Sequence, residues 1–139
     1  MKKKEILIHK LCETALLPVG KTLYVWGGGW NESDTGAGKS AGRIGISPEW
    51  EAFFCSQDAS YDYKTHRYER EKGLDCSGYI GWLLYNVLAP QGFPGDYVRK
   101  AGEQGKMLAE RGFGSWKEPE VVTDWHPGDL MSSSRQGHV

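Results

Sequence analysis

Apolar residues recur along this chain mostly at helical spacing. Leu7, Leu11, Ala15 and Leu16 fall on one helical face, and Pro18 with Gly20 stops the run, which predicts a helix over 3–17. Residues 22–30, TLYVWGGGW, read as a short extended, β-like run that breaks into three glycines. A Gly- and Ser-rich loop follows over 31–46. A second helix is predicted over 47–54, with Ser47 as its cap, Pro48 in its first position, and Glu49 and Glu51 at its positive end. Residues 58–73 are polar and aromatic, with a helical turn at most. The clearest element is 76–88, where Tyr79, Ile80, Leu83, Leu84, Val87 and Leu88 make an apolar stripe between the N-cap candidate Asp75 and Pro90. Another helix is predicted over 99–111, closed by Gly112. The tail from His126 reads as turn, strand, turn and the start of a strand. Helices first and strands late imply an α+β fold.

The length of 139 residues suits a single domain with a core of its own. Apolar residues make up 39% and charged residues 25%, the balance of a soluble globular chain. Nineteen glycines signal tight backbone passages. Residues 1–73 carry 11 basic and 10 acidic side chains, and 74–139 carry 6 and 8. Neither part is a basic patch, so no nucleic-acid partner is expected. No apolar run is long enough for a membrane span. The basic start is interrupted by Glu5, His9, Lys10 and Glu13, so no secretory signal is read there. GAGKS at 36–40 resembles a phosphate loop, but Ser33 stands where that motif needs glycine.

Cys12, Cys55 and Cys76 are the three cysteines, and none has zinc-ligand spacing with a partner, so no metal site is expected. Cys12 and Cys55 lie beside apolar positions and are expected to be buried and inert. Cys76 opens the clearest helix. Free N–H groups and the helix dipole favour a thiolate there, as a nucleophile requires. A small buried core thiol at a helix start fits the same local pattern. A thiol nucleophile also needs a base, and spacing alone does not choose among His9, His66, His126 and His138.

YVWGGGW (24–30), LDCSGYI (74–80), HPGDLM (126–131) and GHV (137–139) occur in this order. Together they resemble the NlpC family of papain-like cysteine peptidases, bacterial hydrolases of cell-wall peptides, over roughly 18–30 and 74–139. The resemblance implies a papain-like α+β domain in which the nucleophile helix packs on a small antiparallel sheet. It implies Cys76 as nucleophile and His138 as general base. Tyr24, Asp75 and Ser77 would line the substrate site, with Gly78 allowing close approach to the helix and Gly27 and Gly28 forming a tight passage beside the cleft. The implied reaction is hydrolysis of an amide bond in peptidoglycan stem peptides, between a γ-linked D-glutamate and a diamino acid, without a cofactor. A secreted or cell-wall location would go with it. A thiol amidase or transferase on another amide, and a catalytically silent module binding cell-wall peptides, are the alternatives.

The chain departs from the family pattern twice. Residues 31–73 form an insertion, rich in aromatics (Trp50, Phe53, Phe54, Tyr61, Tyr63, Tyr68), which would be either a wall over the cleft or an added layer of core. After His138 only Val139 follows. The expectation is a truncated C-terminal part, a second chain completing the sheet, or an inactive relative.

Overall fold

The computed structural model describes residues 2–139. Helix α1 spans Lys3–Ala15, α2 Pro48–Ser56, α3 Cys76–Leu88 and α4 Ala101–Glu110, with single 3-10 turns at Tyr63–Thr65, Ala89–Gln91 and Pro119–Val121.

Helix α3 is the centre of the molecule. Its start is fixed by Asp75, whose carboxylate accepts the Gly78 N–H at 2.7 Å. Trp82, Leu83 and Val87 face one cluster with Trp30, Trp50, Leu74 and Val98, while Ile80 and Leu84 face a second with Tyr97 and Leu108. Burial of each large apolar side chain contributes about 2 kcal/mol. Trp50 of α2 meets Trp82 edge to face at 5.9 Å, so the 31–73 insertion supplies part of the main core. Helix α1 docks through Leu7 and Leu11, and the Tyr79 hydroxyl donates to the Ala15 carbonyl at 2.6 Å. Gly81 lets the chain at Val98 cross α3 at backbone contact, because a methyl group at Gly81 would overlap the Val98 side chain.

The expected α+β, papain-like architecture is not what forms. The described residues are mostly helix and irregular loop, and they contain no sheet, only the isolated bridges Tyr24–Leu74, Trp30–Ala37 and Ser133–His138. The reason lies in the glycines. After Trp26 the chain turns at Gly27 (φ +82°) and Gly29 (φ +87°), and the Gly28 N–H closes on the Val25 carbonyl at 2.8 Å. The extended run therefore ends before a ladder develops, and its few backbone bonds to other segments are Val25 N–H to Leu74 O at 3.1 Å, Leu74 N–H to Leu23 O at 3.4 Å and Tyr68 N–H to Trp26 O at 2.7 Å. In the tail, Ser133 and His138 exchange both backbone bonds, at 2.9 and 3.2 Å, around one tight turn. Helix α1 also ends two residues earlier than the pattern predicts, leaving Leu16 exposed. No helix among the described residues is long and apolar enough to cross a membrane.

The insertion leaves and returns at one place. The Gly29 N–H donates to Arg70 O at 3.0 Å, and the Asp75 N–H to Gly28 O at 3.0 Å.

Candidate functional site

Cys76 occupies the first turn of α3, half-buried, and lines an open cleft of about 390 Å³. Asp75, Tyr24 and His138 line the same cleft, and Leu23, Leu74 and Ile80 form its apolar walls. Tyr24 arrives on the extended run before the glycine turns. His138 arrives on the tail, which is tied down where Val139 packs against the Ile80 and Leu84 cluster and Ser132 bonds the Ala101 carbonyl of α4.

Ser77 and Gly78 face away from the cleft. The Ser77 hydroxyl and the Asp75 carboxylate each accept from the Trp30 indole N–H at 3.2 Å, and Ser77 also donates to Asp75 at 3.2 Å. Gly78 lies against the Gly28 carbonyl. Asp75 is thus held by Gly78, Trp30 and Ser77 as a structural cap, while its charge stays beside the sulfur.

The electrostatics differ from the helix-start expectation. Burial pushes the Cys76 thiol up, and the Asp75 charge pushes it further, against backbone N–H groups of Val139, Ser77 and Cys76 that favour the thiolate. A helix N-terminus contributes about 0.3–1 kcal/mol at an exposed position, less than one pKa unit, so burial and a neighbouring carboxylate outweigh it. Burial pushes Asp75 up as well, partly offset by its hydrogen bonds. Burial, followed by the charges of Cys76 and Asp75, pushes the Tyr24 phenol up to about 12. Tyr24 is therefore a neutral hydroxyl at physiological pH, and Cys76 rests as a protonated thiol.

These directions set an expected result. The rate of Cys76 alkylation by iodoacetamide, followed by peptide mapping, should climb with pH and pass its midpoint above the value of an ordinary cysteine. Asp75→Asn keeps a capping oxygen for Gly78 but removes the charge, so the midpoint should move down. A midpoint that stays in place would show that Asp75 is not felt at the sulfur.

Two residues that organise the site escaped the sequence reading. Trp30 was visible only as the last letter of a glycine-rich motif. Gln104 of α4 is fully buried and donates to Ser77 O at 3.0 Å and Tyr97 O at 2.8 Å, joining α4 to the first turn of α3. A lone glutamine on an amphipathic helix gives no such signal. Cys12 and Cys55, expected buried, are both exposed. His66 packs against Phe53 and Tyr61 and bonds Glu69 at 2.5 Å, and His126 pairs with Asp124 at 3.2 Å; neither lines the Cys76 cleft. Among the described residues no group of three or more His, Cys, Asp or Glu side chains is placed to hold a metal ion.

The chain matches no protein-family model, no curated protein and no solved structure.

Proposed function

We propose that the chain is a cysteine hydrolase acting on an amide bond of cell-wall stem peptides, with Cys76 as nucleophile and His138 as base. The observation that carries this reading is the convergence, in one cleft, of a half-buried thiol at a helix start, a histidine and a neutral phenol. The bond class comes from the NlpC-like motifs and not from the cleft.

Because the thiol rests protonated, the reaction starts with proton transfer. His138 takes the Cys76 Sγ proton as the sulfur attacks the amide carbonyl carbon. The carbonyl π pair moves to oxygen, and the resulting oxyanion is met by N–H groups at the α3 start. Collapse breaks the C–N bond, and the leaving amine takes the proton from His138. Water, deprotonated by His138, then attacks the thioester, releasing the carboxylic acid and restoring the thiol. In this reading Tyr24, which lines the same cleft, donates a hydrogen bond to substrate beside the sulfur.

The competing reading, a silent peptide-binding module, draws on the upward push on Cys76 and on an imidazole of His138 that has no hydrogen-bond partner among the described residues. Digestion of purified peptidoglycan, with mass analysis of the fragments, separates the two. New amino and carboxyl termini within stem peptides are expected. Intact stem peptides that bind the protein without being cut would favour the module.

A further inference from the structure

The segment 58–66 of the insertion is built onto Tyr24 from two sides. The Tyr61 hydroxyl donates to the Tyr24 carbonyl at 2.6 Å, and the Tyr63 ring packs edge to face on the Tyr24 ring, 5.3 Å between centroids at 82°. Tyr61 is itself braced from behind by His66, stacked at 5.6 Å, and by Phe53 of α2 at 5.8 Å. Tyr63 has no comparable backing and stays 38% exposed, beside a Tyr24 that is 40% exposed. The Tyr63 hydroxyl also lies near enough to Tyr24 to disfavour its ionisation. Tyr24 lines the cleft that holds Cys76, and Tyr63 of the insertion stands against the Tyr24 ring, just outside that lining.

We propose that Tyr63 is a specificity-determining residue, the outer rim of the Cys76 cleft, and that Tyr61 is a positioning residue that holds Tyr24 beneath it. The ring of Tyr63 narrows the entrance on the Tyr24 side, so the substrate group passing there is small or unbranched, and a bulky planar group is turned away. Edge-to-face packing fixes the ring without hiding it, which suits a selective edge better than a loose loop side chain would. The insertion thus takes part in substrate choice as well as in the core. The proposal rests on Cys76 as the reactive group of the cleft, but it does not require that peptides be cut.

The test compares two thiol probes on the full chain, small iodoacetamide and bulky planar N-phenylmaleimide, with labelling of Cys76 resolved from Cys12 and Cys55 by peptide mapping. Tyr63→Ala should raise the N-phenylmaleimide to iodoacetamide rate ratio at Cys76 by about fivefold. Tyr63→Phe keeps the ring and should keep the ratio. Tyr63→Trp should lower it, and Tyr61→Phe, which only loosens Tyr24, should raise it about twofold. A ring that served packing alone would shift the thermal midpoint and leave the ratio flat across all four variants, and that result overturns the proposal. Peptidoglycan digestion on the same samples keeps the two questions apart. A changed ratio without cleavage sinks the hydrolase and leaves the rim, whereas cleavage with a flat ratio does the reverse.

Discussion

Cys76→Ala should abolish peptide cleavage, with a loss of at least about a thousandfold, while the protein stays folded. The covalent route depends on one sulfur, and neither of the other thiols stands in the cleft. Cys12 and Cys55 are exposed on α1 and α2, so Cys12→Ser and Cys55→Ser should leave turnover unchanged. The structural cost of the alanine is small. Cys76 sits at a helix start that is already capped by Asp75, and removing a half-buried sulfur costs about 1 kcal/mol or less. Burial also works against the thiolate form here, so the wild-type protein gains nothing in stability from the reactive state. Retention of near wild-type turnover by the alanine variant, measured on the same peptidoglycan fragments, would remove Cys76 from the reaction.

Gly78→Ala should destabilise the protein, conservative as the change is. Two effects oppose one another. Alanine favours the helical backbone by about 1 kcal/mol over glycine. Its methyl group, however, would overlap the Gly28 carbonyl oxygen and would stand 3.0 Å from the Asp75 carboxylate. The obstacle is backbone on a neighbouring segment, which cannot rotate away as a side chain can. Overpacking of this kind costs about 3 kcal/mol, so a net loss of about 2 kcal/mol is expected, read as a lower denaturant midpoint with an unchanged slope. The Asp75 N–H bond to Gly28 O, at 3.0 Å, would be strained with it, and alkylation of Cys76 should lose its distinct pH dependence. An increase in stability would mean that propensity wins and that α3 can move off Gly28.

The helices were legible because each carries its own punctuation. Pro48 opens α2, Asp75 caps α3, and α3 runs over the residues its apolar stripe marks. Residues 101–110 form within the predicted 99–111 span. The strands were misread because alternation of apolar residues says only that a segment is extended, not that it has a partner. Tyr24 and Val25 are extended, yet Trp26 already belongs to the turn that Gly27 and Gly29 carry on, and the bridge pairing stops at Leu74. In the site, Cys76 and Tyr24 could be found from motif spacing. The upward push on Cys76 could not, since it arises from burial by the walls and from a carboxylate whose aim is set by Trp30, far away in sequence. Nor could the placement of Tyr63 on Tyr24, which depends on how a long loop folds back.

That return of the insertion to its point of departure has a bearing on how the chain acquires its chemistry. Residues 28 and 29 meet residues 70 and 75 only after everything between them has closed into a loop, at an entropic cost that local helix formation does not help to meet. Helix α3 can begin to form on a nascent chain, but a lone helix carries a bare thiol with no walls, no phenols and no histidine beside it. The residues that line the cleft around the sulfur come from both sides of Cys76 in sequence and assemble together. An unfinished molecule therefore offers an ordinary exposed thiol and no cleft, so the arrangement proposed to cut peptides exists only in the completed fold.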